Sequence, residues 1–310
     1  MQLSKASGRA KGYMALAVTS ILWGTTWVAS KIGIGEIGAL QMAAIRQLIA
    51  GACLVFYFMV FKKLPLPTAK EFRWLFIMGF LIFVLANGLS TWSLKYIPTG
   101  LSALIGALYP LSVVLIEMVF FKTKKMTLLT FAGFILGITG IGIVFYENAF
   151  KHSPSFIVGL ILSLIAMLSW SLGTVFITRN KANLNPYYAT GWQMVVSAFI
   201  LFIAAQITQP VLAIQDISLK AWMVILYLVI FGSLISFVAF IYSMKKLPVA
   251  IASLFAYINP LVAMVLAAII FIDEKLTLNI LWGAIVTLIG VFLVNYSTRR
   301  SEKIITEAEI

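Results

Sequence analysis

The side chains able to do chemistry in this chain are hydroxyls, indoles, phenols and amides set into apolar sequence. They are Trp23, Thr26, Trp27 and Ser30; Asn87, Ser90 and Thr91; Ser102 and Tyr109; Ser163, Trp170 and Thr174; Ser233, Ser236 and Ser243, with the Phe240 ring on the same stripe; and Ser253, Tyr257 and Asn259. Most follow one another at three, four or seven residues, which places each group on one face of a helix. Such groups hydrogen-bond a small solute and cover its apolar body with rings. Covalent or metal chemistry finds no footing here. His152 and Cys53 are the single histidine and single cysteine, so neither a metal-ligand cluster nor an intrachain disulfide can be assembled. A lipid-modifying enzyme would need clustered acids, histidines or a metal near one interface, and the acids are scattered. The chemistry expected is recognition of a small-molecule solute, with no cofactor, no metal and no enzymatic step.

The elements that must position these faces are helices in a bilayer. Hydrophobic residues make up 62% of the chain and charged ones 11%, against about 25% charged in a soluble domain. Ten stretches reach the ~20 residues that cross a membrane. They run over Gly12–Ser30, Leu40–Phe61, Trp74–Leu94, Thr99–Phe121, Thr127–Tyr146, Ser155–Thr178, Pro186–Ile207, Leu219–Met244, Val249–Ile272 and Leu278–Tyr296. The expected fold is an all-α integral membrane protein of ten transmembrane helices, with short loops and no soluble domain attached. No small-residue cleavage site follows the first apolar run, so it reads as a retained span.

The net charge of +13 does not signal nucleic acid, because its distribution follows the membrane. With the N-terminus inside, 17 Lys and Arg fall on the cytoplasmic side and five outside, one per outer loop (Lys31, Lys95, Lys151, Lys220 and Lys275). Such an excess orients the helices and touches anionic lipid headgroups, and it puts both termini in the cytoplasm. The expected location is the cytoplasmic membrane of a prokaryotic cell.

A duplication underlies the ten spans. Gly12 and Trp23 fall on Gly159 and Trp170 at an offset of 147, and Pro98, Pro110, Thr127, Gly133 and Gly140 fall on Pro248, Pro260, Thr277, Gly283 and Gly290 at 150. Residues 97–144 and 247–294 share 12 identities in 48 aligned positions, prolines and glycines among them. The expected units are residues 1–148 (spans one to five) and 149–310 (spans six to ten). Five is odd, so the second unit re-enters the membrane inverted. Two inverted five-helix repeats around a midplane site are the architecture of alternating access, one half rocking against the other. A passive channel would instead need a continuous pore with rings of selecting groups.

Polar stripes single out spans 1, 3, 4, 6, 8 and 9 as the walls of a cavity. Trp23, Thr26, Trp27, Asn87, Thr91, Tyr109, Trp170, Thr174, Ser236, Phe240, Tyr257 and Asn259 are the candidate solute contacts. Spans five and ten carry small-residue ridges, Gly133, Gly137 and Gly140 against Gly283 and Gly290, which either pack the halves together or support a homodimer. Pro110 and Pro260 inside spans four and nine each remove a backbone donor, and a kink is expected beside the cavity.

Two charges lie within spans. Arg46 sits six residues into span two, roughly 9 Å from its outer end; it recognises an anion, snorkels to the outer headgroups, or pairs with Glu36. Glu117, near the cytoplasmic end of span four, is solvated or paired with Lys122 or Lys124, or takes part in coupling. Spans 1, 3, 6, 8 and 9 hold no carboxylate, which disfavours cationic cargo and carboxylate-based proton exchange. The cargo expected is neutral or zwitterionic with an apolar part.

The string Ile21-Leu22-Trp23-Gly24-Thr25-Thr26, Arg46 followed by Ala50, Pro110, and Asn259-Pro260 with Asp273-Glu274-Lys275-Leu276-Thr277 together resemble the EamA family of the drug/metabolite transporter superfamily. The resemblance covers nearly the whole chain. It implies a ten-helix inverted-repeat fold, a central cavity from the same six spans, and movement of metabolites such as amino acids, often outward, with drug-like or nucleoside-like neutral compounds as the alternative. One position departs from symmetry: where the second half has Glu274, the first has Lys124.

Overall fold

The computed structural model describes residues 2–122, 126–149, 155–179, 184–247, 251 and 254–308. Lys124, Lys151, His152, Pro248, Val249 and Ser253, named above, lie outside the described residues. Within them there is no strand. The ten helices are α1 (Gln2–Gly33), α2 (Ala39–Phe61), α3 (Ala69–Ser93), α4 (Thr99–Val119), α5 (Leu128–Ala149), α6 (Ser155–Arg179), α7 (Pro186–Thr208), α8 (Leu219–Lys246), α9 (Phe255–Ile270) and α10 (Leu278–Ala308). Eight of these are long and apolar enough to cross a membrane; α9 is a shorter apolar helix, and α1 carries the first span behind a basic N-terminal stretch. The protein is thus an all-helical membrane protein of ten spans in two repeats, as its duplication requires.

Local chemistry sets the helix starts. Thr68 and Glu71 form a reciprocal capping box at α3, and Asn185 caps α7 with Pro186 at the first helical position. The repeat counterparts Thr127 and Thr277 do the same work at α5 and α10, each hydroxyl accepting a backbone N–H three residues on (3.1 and 3.3 Å).

Packing reproduces the duplication. Helix α1 packs on α8 and α9, and its counterpart α6 packs on α3 and α4; α2 pairs with its own counterpart α7, α4 with α9, and α5 with α10. Exchanging the repeats maps this pattern onto itself. Single residues repeat it: Gly12 of α1 lies against Leu247, and Gly159 of α6 lies against Ile97, 150 residues earlier.

The glycine ridges of α5 and α10 face each other inside one chain. A Cβ at Gly140 would stand 2.5 Å from the Gly283 carbonyl oxygen, and one at Gly133 would stand 2.7 Å from that of Gly290. The backbones cross at a distance only glycine permits, so these ridges join the two repeats of one molecule. Helices α2 and α7 cross the same way, a Cβ at Gly51 falling 2.8 Å from the Gly191 carbonyl oxygen.

The cavity-side helices are irregular at matching heights. Both α3 and α8 widen into π-helical turns at mid-span, over Gly79–Gly88 and Leu228–Ile235. Helix α4 breaks at Ala107–Leu108 and restarts at Tyr109 with Pro110 in its first turn, where a missing N–H leaves nothing unsatisfied. Pro260 instead lies inside α9.

Candidate functional site

At the meeting of both repeats the structure holds a cavity of about 150 Å³, a size that accommodates a single six-membered ring. Its walls come from α1, α2, α3, α4, α6, α8 and α9. Of the twelve candidate solute contacts, Trp23, Thr26, Trp27, Asn87, Thr91, Tyr109, Trp170 and Asn259 line it, together with Ser30, Ser90, Ser102 and Ser163. Arg46 and Pro260 line it as well. No acidic residue is among the lining residues.

The other four candidates lie elsewhere. Thr174 turns its hydroxyl back to the Trp170 carbonyl oxygen (2.8 Å), and Ser236 donates to that of Phe231 (2.5 Å); short hydroxyls in a span satisfy themselves this way. Phe240 stands behind the wall, with its ring 5.1 Å from Trp23 and 5.3 Å from Phe255. Tyr257 points toward α10, where the Asn295 amide donates to its phenol oxygen (2.5 Å). Pro110 and Glu117 are also absent from the lining.

The aromatic centre is continuous. Trp23 meets Trp170 edge to face at 5.9 Å and packs on Phe237 at 5.1 Å and Phe255 at 5.2 Å, while Tyr109 stacks on Phe255 at 5.6 Å. Phe237 and Phe255 line the cavity although neither carries a polar signal by which sequence could single it out. Two of the three indoles have spent their N–H within the protein. Trp23 Nε1 donates to the Gly232 carbonyl oxygen (3.1 Å), and Trp27 Nε1 to Asn259 Oδ1 (3.0 Å). These two tryptophans therefore offer ring faces rather than N–H donors to the cavity.

Arg46 neither snorkels nor pairs with Glu36. Its side chain is buried, with 5% exposure, and Nε donates to Ser233 Oγ at 2.9 Å. The reason is local. Gly232, in the widened turns of α8, leaves room that a Cβ would close, since it would stand 2.9 Å from Arg46 Nη2 and 2.8 Å from Thr26 Cγ2. Glu36 is occupied in the loop between α1 and α2 by Lys220 (2.9 Å) and Ser218 (2.9 Å), whose hydrogen bonds hold its carboxyl below the usual carboxylate range. Glu117 pairs with Arg179 at the end of α6 (3.9 Å) rather than with Lys122; Lys124 lies outside the described residues.

Sequence reasoning passed over Gln47, the residue beside Arg46. Its amide nitrogen donates to the Phe83 carbonyl oxygen (3.2 Å) and to Asn87 Oδ1 (3.0 Å), and its carbonyl accepts from the Ser197 hydroxyl, so one side chain ties α2, α3 and α7 together. A second network, Ser93–Ser102–Ser163, links α3, α4 and α6 through hydroxyls at 2.9 and 3.0 Å.

Known proteins place this arrangement. The chain is 30% identical over 254 residues to the inner membrane transporter YedA of Escherichia coli, covering 81% of this chain and 80% of that one. It is 23% identical to the transporter YoaV of Bacillus subtilis, over 94% and 98% of the two chains, and 28% identical to the protein PecM of Dickeya dadantii, over 83% and 82%. A crystal structure at 18% identity covers 96% of this chain and 99% of its own with a TM-score of 0.65, a likeness of fold. Residues 10–146 and 157–296 each match the EamA-like transporter family, one match per repeat. With both repeats matched and the transporter architecture present around a shared cavity, the chain belongs to the EamA-like transporter family.

Proposed function

We propose that this protein is a secondary carrier for a small neutral or zwitterionic metabolite with an apolar part, amino acids being the leading class and export the leading direction. The observation that carries the reading is the cavity itself: an aromatic chamber with hydroxyl and amide groups and no acid among its lining residues, bounded by helices from both repeats. Relatives named as membrane transporters support it. Trp23, Asn87, Tyr109 and Trp170 are the proposed solute contacts.

Transport proceeds by alternating access around this cavity. Because α1 packs on α8 and α9 while α6 packs on α3 and α4, the moving bodies are these two mixed three-helix groups, and the contiguous units 1–148 and 149–310 describe descent more than motion. The α2–α7 and α5–α10 pairs flank them. The excess of Lys and Arg on one side supports termini in the cytoplasm, and the bacterial relatives support a prokaryotic cytoplasmic membrane.

Counterflow in proteoliposomes loaded with mixed neutral amino acids tests this reading, since exchange needs a shuttling carrier and no assumed coupling ion. Accumulation of a labelled amino acid, lost in Trp170→Ala, supports carrier and site together. Absence of counterflow with every amino acid, in folded protein, turns the reading to drug-like or nucleoside-like neutral compounds. Flux far above carrier turnover without counterflow would mark a channel.

A further inference from the structure

We propose that the transported solute carries a carboxylate and that Arg46 is the residue that receives it; this rests on the reading of the central cavity as the solute site. Arg46 is 95% buried by its 5% exposure, lines the cavity, and has Ser233 as its one hydrogen-bond partner among the described residues, with no carboxylate paired to it. A guanidinium has five N–H donors, and Ser233 takes one. A buried cation with no counter-charge is strongly unfavourable in a low-dielectric interior. Its tolerance at this place calls for an anion that arrives from outside the protein.

The remaining polar groups of the cavity point the same way, because what they have left to offer is donors. Asn259 Oδ1 is taken by the Trp27 indole, which can only donate, so the amide orientation is fixed and Nδ2 is left over. Gln47 Nε2 donates both to a backbone carbonyl and to Asn87 Oδ1, which fixes Asn87 likewise with its Nδ2 left over. The Trp170 indole N–H and the Tyr109 phenol make no hydrogen bond among the described residues, and both residues line the cavity. One guanidinium, two amide nitrogens, an indole and a phenol form a site rich in donors, with no acid to hold a cation. The planar guanidinium suits a carboxylate in bidentate geometry, and Ser233 fixes its plane. The rings of Trp23, Trp170 and Phe255 would cover the apolar body.

The carboxylate has two sources, an α-amino acid or an organic monoacid, and three probes separate them. Benzoate, its near-isosteric neutral amide benzamide, and phenylalanine are titrated against the full chain in lipid nanodiscs by ligand-observed NMR. Benzoate is expected to bind about ten- to a hundredfold more tightly than benzamide, the range of one charge-assisted hydrogen-bonded contact. Arg46→Gln should erase that difference, and Arg46→Lys should keep part of it. Phenylalanine binding that also falls in Arg46→Gln assigns the amino acid as source, and benzoate binding alone assigns the monoacid; either supports the proposal. Equal affinity for benzoate and benzamide, no benzoate binding, or benzoate binding unaltered in folded Arg46→Gln overturns it. Should Arg46→Gln fail to fold, Ser233→Ala decides, since it keeps the charge and frees its plane: a weaker, smaller preference for benzoate supports the proposal and an unchanged one overturns it. Benzoate binding without counterflow of any solute would strike the carrier reading and leave the Arg46 assignment standing.

Discussion

Trp23 and Trp170, counterparts 147 residues apart in the two repeats, meet edge to face with ring centroids 5.9 Å apart and planes at 89°. Two counterparts can touch only where the pseudo-symmetry axis passes between them, so this pair marks the centre of the molecule. The environments of the two differ. Trp23 is buried among Phe237, Phe240 and Phe255 and anchored to the Gly232 carbonyl, while Trp170 is half-buried and its N–H makes no hydrogen bond among the described residues.

That difference separates their variants. Trp23→Ala removes a core ring and its hydrogen bond and is expected to lower stability by about 3–5 kcal/mol. Trp170→Ala should stay folded yet lower counterflow by about tenfold or more, equivalent to losing ~1.4 kcal/mol of solute interaction. Heating followed by size exclusion reads the first and proteoliposome exchange the second. A Trp23→Ala protein as heat-resistant as the native one would refute the packing role.

Two glycines on α5 give an internal comparison. Gly140 faces the Gly283 carbonyl oxygen with 2.5 Å for a Cβ, whereas Gly142 has nothing within 4 Å. Gly140→Ala should therefore separate the α5–α10 crossing at a cost of about 1–3 kcal/mol. Gly142→Ala should be neutral or gain a few tenths, since alanine favours helix by up to ~1 kcal/mol. Melting temperatures of both variants, measured side by side, check this; equal losses would mean that the crossing is looser than described.

Much of this was legible in the sequence because a bilayer leaves few choices. Apolar length gave the spans, and matched prolines and glycines gave the repeat. Eight of the twelve proposed contacts line the cavity because a hydroxyl, indole or amide in hydrocarbon must turn inward. Thr174 and Ser236 were misplaced because a hydroxyl can also bond its own helix, which no spacing rule reveals. Tyr257 found Asn295 on a helix without a polar stripe. The inward turn of Arg46 depends on Gly232 and Ser233, some 187 residues away in sequence and visible only once α2 and α8 are packed.

Glu274 fastens the start of α4. It accepts from the backbone N–H of Thr99 (2.7 Å) and from its hydroxyl (3.0 Å) at the start of α4, and it lies 3.8 Å from Lys31 Nζ, which in turn donates to the Leu94 carbonyl oxygen (2.5 Å). Its side chain is 10% exposed. Glu274→Ala is expected to lower stability by about 1–3 kcal/mol by leaving those donors unmet. Glu274→Gln, which keeps one acceptor, should lose less. A thermal-shift series over the two variants tests the order, and an Ala variant no worse than Gln would deny the carboxylate its capping role.

Glu117 poses the remaining question of coupling. Its partner Arg179 also lies over the Phe121 ring at 3.8 Å, so the carboxylate belongs to a tie between α4 and the C-terminal end of α6 and is absent from the cavity lining. A group that exchanges protons for cargo must meet the solute or its path. Glu117→Gln removes the charge with little change of shape. It should leave counterflow within about twofold of native and the pH profile of transport unchanged in form, because a partly exposed ion pair contributes only about 0–1 kcal/mol. Exchange assays from about pH 5 to 8 discriminate the readings. A native profile that rises or falls across this range and becomes flat in Glu117→Gln would reassign the residue to coupling.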